Sequence, residues 1–247
     1  MNYKLYGIMI AFSLLICGQV QQQSLSTPSV HNVKIEGLVI DEALKRVAQT
    51  YQTVIGFEQS EPISFDQRIK VSLSHATLAE ALDAIVKSDG RYSWRQESTG
   101  AIHVFIAGRN FSFPEVVLVS LDVKNLNRQA VSNLLNTRAE VVAWRQEHKC
   151  SRGGAIVVTG AEPADSTEVT LQTSEKTLRD NLDEIVSELG TYYWIIDQTV
   201  TDNGCFASVA LPPPDSPRRA HYSLVRPDGY STVREKRAKM PTPTLLS

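Results

Sequence analysis

Two segments of this chain match one another and end in tryptophans 100 positions apart, Trp94 and Trp194. From Thr77 and Thr177 onward the two segments align without a gap. The identical pairs between these ends are Leu78/Leu178, Leu82/Leu182, Asp83/Asp183, Ile85/Ile185, Val86/Val186, Gly90/Gly190 and Tyr92/Tyr192. A repeat of this kind indicates that one supersecondary unit is used twice. The sequence therefore predicts two related small domains.

The first unit alternates between helical and strand periodicity. Apolar residues recur at helical spacing over Ile40–Tyr51, and they alternate with polar residues over 69–74, as in a half-buried strand. Thr77 and Glu80 form a capping box at the start of a second helix, and Gly90 is expected to end that helix in the left-handed conformation. Strands are predicted at 32–37, 54–58 and 69–74, through Tyr92 and Trp94, and at 101–107. The predicted order is β-α-β-β-α-β-β.

The second unit repeats this order with variations. Helices are predicted at 126–135 and 178–189, and strands at 115–123, 141–144, 155–159, 169–171, 192–196 and 205–211. An insertion is predicted at 147–160, and Asn203-Gly204 is a hairpin turn signal. The predicted fold class is therefore α+β, with two tandem βαββαββ-type units at 31–109 and 114–211. Each unit is expected to pack two helices on small sheets.

The N-terminus has the features of a signal peptide. Lys4 precedes an apolar run at 8–16 that is too short to span a bilayer as a helix. We therefore expect residues 1–24 to be a signal peptide, and the mature protein, without a transmembrane segment, to be periplasmic or secreted. The alternatives are a lipoprotein anchored through Cys17 and an uncleaved N-terminal anchor.

Proline and charge set residues 212–247 apart from the rest of the chain. The segment opens with three consecutive prolines and then carries seven Lys or Arg residues against three acidic ones. It has no periodicity and is predicted to be disordered. The body is correspondingly acidic, which argues against nucleic acid as the main partner. The basic tail is expected either to contact an anionic surface or simply to stay solvated.

The predicted mature chain keeps two cysteines, Cys150 and Cys205. In an exported protein an isolated pair favours a disulfide. A metal site with His148 is the weaker alternative, because a structural site needs at least one more protein ligand. The sequence contains no nucleophile-elbow, zinc-protease or phosphate-loop motif. We therefore expect no enzymatic activity, no cofactor and no metal.

The first unit carries three strings that together suggest a family. They read DEALKRVAQTYQTVIGFE, then VSLSHATLAEALDAIVKSDGRYSW, then GAIHVFIAG. Over residues 32–108 the chain resembles the short N-terminal domain shared by secretins and TonB-dependent outer-membrane receptors. The second unit is more divergent: it matches over 169–194, and its string GAIVVTG is similar to the next periplasmic domain of secretins. The resemblance implies a non-enzymatic interaction module whose partner is a secretin, a TonB-dependent receptor or a regulatory protein of the envelope.

The strand predicted at 101–107 is apolar on both faces, which bears on binding. One face is expected in the core, and the other, with His103 and Phe105, must be covered either by the second unit or by a partner protein. We predict that the protein docks to an envelope secretion, transport or signalling machine through His103 and Phe105, at the final hairpin of the first unit. The alternative is a small-molecule or glycan-binding module in which Trp94 or Trp194 stacks on the ligand. Burial of both tryptophans would count against that alternative.

Overall fold

The structure is a computed structural model that describes residues 29–60, 67–109, 111–152, 167–202 and 204–213. The signal peptide predicted at 1–24 with Cys17, the predicted insertion from residue 153 onward with its strand at 155–159, and the tail from residue 214 onward lie outside these residues. The described chain is a mixed α/β structure.

The described residues form five helices and ten strands. The helices are α1 (Ile40–Tyr51), α2 (Leu78–Ser88), α3 (Arg128–Thr137), α4 (Ala139–Glu147) and α5 (Leu178–Glu188). The strands of the first half are β1 (His31–Leu38), β2 (Ile55–Gln59), β3 (Ile69–Ala76), β4 (Tyr92–Gln96) and β5 (Ile102–Ile106). Those of the second half are β6 (Val117–Asn127), β7 (Cys150–Arg152), β8 (Glu168–Thr177), β9 (Tyr193–Thr201) and β10 (Gly204–Ala210). The first half has the predicted element order.

One six-stranded sheet joins the two halves, in the order β4-β5-β2-β9-β10-β7. The junction is the parallel pairing of β2, from the first half, with β9, from the second. Two antiparallel ribbons, β1–β3 and β6–β8, complete the described strands. The two predicted domains therefore share a sheet instead of each packing its helices on separate small sheets.

The two halves are related by a half turn about an axis that crosses the strands, combined with a shift of three strands along that axis. Each half contributes an antiparallel hairpin, β4–β5 or β9–β10, followed by a strand parallel to its second member, β2 or β7. Because β2 runs parallel to both β5 and β9, the equivalent strands β4 and β9 point in opposite directions. A half turn also reverses the faces of the sheet, so the helices of the two halves lie on opposite sides of it.

A first hydrophobic core lies between one face of the sheet and helices α1 and α2, with contributions from the β1–β3 ribbon. Alternate strand residues point into it, as the two-residue period of a strand requires. The sheet residues in this core are Ile55, Phe57, Tyr92, Ile102, Val104, Ile106, Tyr193 and Ile195. The last two belong to β9, so the second half of the chain completes the core of the first.

A second core lies on the opposite face, under α3, α4 and α5 and the β6–β8 ribbon. Its sheet residues are Trp194, Ile196, Ala207 and Val209, and its principal helix residues are Val131, Leu135, Val141, Leu178, Leu182, Ile185 and Val186. Neighbouring residues of β9 thus enter different cores. Strand β9 is buried on both faces from Tyr193 to Ile196, which is the environment expected of a central strand in a parallel pairing.

The strand predicted at 141–144 was wrong, because these residues belong to α4. The run Val-Val-Ala-Trp is too short to separate the two periods, and β-branched residues favour the strand interpretation. Burial follows the helical spacing instead, with Val141, Trp144 and Arg145 on the inner side. Arg145 donates hydrogen bonds to the carbonyls of Ala207 (2.8 Å) and Asn136 (2.7 Å). These bonds attach α4 to β10 and to α3.

The predicted capping box is confirmed at the start of α2. The amide of Thr77 donates to the Glu80 carboxylate at 2.8 Å, and the amide of Glu80 donates to the Thr77 hydroxyl at 3.3 Å. The other end of α2 lies at Asp89-Gly90 as predicted, but the left-handed conformation predicted for Gly90 was wrong, since Gly90 has no positive φ. The turn there is held by Asp89, whose carboxylate accepts hydrogen bonds from Arg91. Burial would raise the pKa of Asp89, but its bonds with Arg91 outweigh burial and lower it.

The predicted disulfide between Cys150 and Cys205 is confirmed. The two residues are direct partners in the parallel pairing of β7 with β10, with Cα atoms 4.4 Å apart. The bond spans 55 residues of sequence, for which the chain-entropy estimate of stabilisation is roughly 4 kcal/mol as an upper guide. It attaches the three-residue strand β7 to the sheet.

Two substitutions in α2 test the core against the cap. Leu82→Ala should lower the free energy of unfolding by about 2–5 kcal/mol, because Leu82 is fully buried and its truncation leaves a cavity. Thr77→Ala should cost about 1 kcal/mol, because it removes only the cap. Urea denaturation measures both. The opposite ranking would show that α2 does not contribute to the core as described.

Candidate docking edge of the central sheet

His103 and Phe105 lie on β5, which is an interior strand between β4 and β2. His103 is fully buried, because α5 of the second half covers this face of the sheet. The sequence left open whether the second unit or a partner protein covers this face, and over His103 it is the second unit. The side chain is therefore not accessible to a partner in this structure. Phe105 is half-buried, nearer the margin of the sheet.

His103 bridges carboxylates from the two halves of the chain. Its Nδ1 lies 3.0 Å from Glu97 Oε1, and its Nε2 lies 3.0 Å from Asp183 Oδ2. A neutral imidazole has only one N–H, so both contacts are hydrogen bonds only if the ring is doubly protonated or one carboxyl carries a proton. The ring also packs against Trp194, with centroids 5.6 Å apart. This cluster connects the β4–β5 hairpin to α5.

A buried carboxylate of the first half is also paired by α5. Glu58, on β2, accepts a 2.7 Å hydrogen bond from Arg179 Nε, and Arg179 also pairs with Glu115. Burial alone would lower the pKa of Arg179, but hydrogen bonds and charges from the two glutamates outweigh burial and raise it. Isolated buried charges are costly. The first half therefore depends on α5 for both His103 and Glu58.

Each half contains the same bond between an aspartate and a tryptophan. Trp194 Nε1 donates to Asp183 Oδ1 at 2.7 Å, and Trp94 Nε1 donates to Asp83 Oδ1 at 2.8 Å. In both cases the aspartate lies 11 residues before the tryptophan, on the helix that precedes the strand. The repeat seen in the sequence is thus also a repeat of side-chain geometry. The bond fixes each indole between its strand and its helix.

Trp194 is completely buried because β2 lies beside it. Gly56 of β2 is its direct partner in the parallel pairing. A Cβ atom at position 56 would overlap the indole ring, so only glycine admits the ring at this position. A glycine inside a strand often marks such a close approach. Among the described glycines, Gly56 is the one where an added Cβ atom would clash, and the clash is with Trp194 at the junction between the halves.

Trp94 is the counterpart of Trp194 at an edge to which the described part of the chain adds no strand. Strand β4 is the terminal strand of the central sheet among the described residues, and Trp94 is half-buried where Trp194 is fully buried. The two tryptophans differ in burial because β2 covers Trp194 and no described strand covers Trp94. The edge of β4 is therefore equivalent to the edge of β9 that β2 occupies, and no described strand pairs with it.

The opposite face of this edge carries Ser93, Arg95 and Phe105. Ser93 is the direct partner of Phe105, and the Arg95 guanidinium lies 5.2 Å from the centroid of the Phe105 ring. Arg95 also pairs with Glu97 at 2.5 Å, and this hydrogen bond lowers the pKa of Glu97 despite partial burial. We call β4 with Trp94 and Phe105 the docking edge.

An open cleft of about 490 Å³ lies between the halves beside this cluster. It is lined by Gln52, Thr53, Val54, Thr99, Gly100, Ala101, Lys176, Asp180, Asp183, Glu184 and Ser187. No aromatic side chain lines it, so neither tryptophan is presented there to a ligand. Among the described residues no group of His, Cys, Asp and Glu side chains is arranged to hold a metal ion. The described helices include none long and apolar enough to cross a membrane.

Comparisons with protein-family models, with curated proteins and with solved structures found no match to the chain. The resemblance to the short N-terminal domain of secretins and TonB-dependent receptors therefore rests on the residues quoted for it.

The two aspartates offer a matched test of the contact between the halves. Asp183→Ala should lower the free energy of unfolding by about 3–5 kcal/mol, because it leaves buried His103 without one of its carboxylates. Asp83→Ala should cost considerably less, because it removes only the bond to Trp94 at an exposed site. Urea denaturation measures both variants. Equal losses would contradict a stabilising role for the His103–Asp183 contact.

Asp197 makes the junction sensitive to pH. It lies on β9 opposite Gln59 of β2, accepts a hydrogen bond from Thr199, and has its pKa raised by burial to about 6. Because the folded state binds this proton more tightly than the unfolded state, the stability contributed by the protonated group is complete below about pH 4 and is lost as pH rises through 6. Asp197→Asn should therefore raise the thermal midpoint at pH 8 and leave it nearly unchanged at pH 4. The same difference at both pH values would contradict this role.

Proposed function

We propose that this protein is a non-enzymatic docking module of the cell envelope that accepts a strand of a partner protein along the docking edge. The observation that carries the proposal is the equivalence of β4 and β9. The chain already adds β2, in parallel, to the edge of β9. The same repeat unit presents the same edge a second time on β4, where no described strand follows.

The docking edge has the chemistry that strand addition requires. On the side away from β5, β4 pairs with no described strand, so its backbone can bond to an incoming strand, which is a recurring mode of peptide recognition. Trp94 supplies a large apolar surface, and tryptophan is enriched among residues that dominate binding energy. On the other face Phe105 is half-buried beneath Arg95. A folded partner would cover Arg95 and Phe105 just as α1 covers the equivalent face of β9.

The partner that we propose is a protein of the envelope. The resemblance of the first unit supports a secretin, a TonB-dependent outer-membrane receptor or a regulatory protein of such a machine. The Cys150–Cys205 disulfide is compatible with an extracytoplasmic compartment, where such bonds form and persist. A periplasmic location with a cleaved signal peptide agrees with both. The anionic-surface contact of the basic tail remains a separate expectation.

The alternative function, binding a small molecule or glycan through aromatic strands, has less support. Trp194 is fully buried against Gly56, and the open cleft between the halves contains no aromatic side chain. Trp94 is the accessible one of the pair, and it lies at a strand edge, not in a concave site. We therefore prefer a protein ligand to a small one.

Photocrosslinking and capture test this function in cells. A photoreactive residue at Ser93 should crosslink to an envelope protein, and the same residue at Val200, an exposed site on the other hairpin, should not. Trp94→Ala and Phe105→Asp should each abolish the crosslink at position 93, because they remove the apolar surfaces that flank the edge.

Val200→Asp is the matched control and should leave the crosslink intact. Thermal denaturation of the purified variants separates lost docking from lost folding. Crosslinks that persist in both Trp94→Ala and Phe105→Asp, with both variants folded, would rule out docking at β4. If Phe105→Asp alone unfolds the protein, Phe105 belongs to the interior and Trp94→Ala decides the question.

A further inference from the structure

We infer that the strand accepted at the docking edge carries a glycine directly opposite Trp94, flanked by apolar residues, and runs parallel to β4. This inference rests on the proposed function and specifies the chemistry of the partner. The occupant is an extended segment of a partner protein with an apolar–glycine–apolar sequence. The template is the pairing of β2 with β9 within the chain.

The Trp94 ring is held in place by the same kind of hydrogen bond as the Trp194 ring. The bond between Trp94 and Asp83 has the same sequence spacing and the same length, within 0.1 Å, as the bond between Trp194 and Asp183. Both aspartates lie on the helix that leads into the tryptophan strand. The Trp94 indole is therefore held at its strand edge in the manner of Trp194.

The indole ring leaves no room for a side chain on the strand beside it. Next to Trp194 the neighbouring strand passes so close that a Cβ atom at position 56 would occupy the same space as the six-membered part of the indole. Backbone or ring displacement would be needed for any other residue. A strand that pairs with β4 in the same register meets the Trp94 indole in the same way, so glycine is required at the position opposite it.

The flanking residues and the direction follow from the same pairing. Ile55 and Phe57, on either side of Gly56, point to the face away from Trp194 and enter the first core. In a strand added to β4, the equivalent residues point to the face that carries Arg95 and Phe105, where apolar side chains cover the phenyl ring. The strand is parallel to β4 because β2 is parallel to β9.

One charge present in the template has no counterpart at the docking edge. Glu58 of β2 pairs with Arg179, and the residue of the first half equivalent to Arg179 is Ala79. An acidic residue two positions after the glycine would therefore face no cation from α2. The accepted strand should carry a neutral residue there.

Synthetic peptides test the glycine requirement on the full chain. The probe TVIGFTQ is the sequence of 53–59 with its glutamate replaced by threonine. The comparison peptides TVIAFTQ and TVIVFTQ replace the glycine with alanine or valine. Binding is followed by the shift of the Trp94 indole N–H signal in nitrogen-edited NMR spectra. We expect the glycine peptide to bind at least tenfold more tightly than the valine peptide, with the alanine peptide between them.

The Trp94→Ala protein provides the decisive comparison, with binding followed by the backbone amide signals of β4. Without the indole, the valine peptide should bind as well as the glycine peptide, because the space is no longer filled. Equal affinities for the wild-type protein, a glycine preference that survives Trp94→Ala, or no binding of any peptide would each overturn the inference. Shifts at β7 instead of β4 would also overturn it.

The two proposals fail separately. If the crosslink at position 93 depends on Trp94 but the peptides show no glycine preference, docking at the edge stands and the glycine requirement falls. If no crosslink forms but the peptides discriminate, the edge recognises glycine strands without serving the proposed partner. Sedimentation at increasing protein concentration tests whether the occupant of the edge is a second copy of the chain. Concentration-dependent dimers through β4 would show that a second copy, and not a partner protein, occupies it.

Discussion

The fold of this protein depends on the placement of one indole ring against one glycine. Trp194 enters the second core while its strand pairs with β2 of the first half, and Gly56 leaves room for the ring. That pairing makes a single sheet from two repeat units, so each unit helps to bury the other's core. Burial of Glu58 and His103 then becomes tolerable, because Arg179 and Asp183 arrive on α5 with the same junction. A small α+β unit alone buries a modest core, and the shared sheet removes this limit.

Local signals predicted most of the elements, whereas the sheet that assembles them was not predicted. The helical stripe over Ile40–Tyr51 and the capping box at Thr77 act between residues close in sequence, so they can be read directly. The pairing of β2 with β9 joins residues separated by more than half of the chain, and no periodicity records it. The misassigned helix α4 shows a further limit, since the apolar run over 141–144 is too short to distinguish the two periods.

The docking edge was only partly visible in the sequence. The apolar character of 101–107 was correctly recognised, but its cover over His103 is α5, which only the tertiary structure reveals. Phe105 keeps its place beside the proposed surface, which also includes Trp94. A signal for the junction did exist: Gly56 interrupts a short apolar strand, and glycine there indicates the close approach of another group. The aspartates at 83 and 183 are visible in the sequence as part of the repeat, but nothing local pairs them with the tryptophans.

The half turn between the two units has a consequence for assembly. Repetition of the same step would continue the sheet from β7 of one copy to β4 of the next, and a step of this kind never closes into a ring. Ile195 and Ile196, which line the occupied edge, are replaced by Arg95 and Gln96 on β4, while the opposite edge is only three residues long. Charged and shortened edges disfavour pairing between copies of this chain, whereas a partner strand of different sequence can still pair with β4. The repeat therefore stops at two units, and further copies are discouraged by charge at the β4 edge and by the short length of β7 at the other edge.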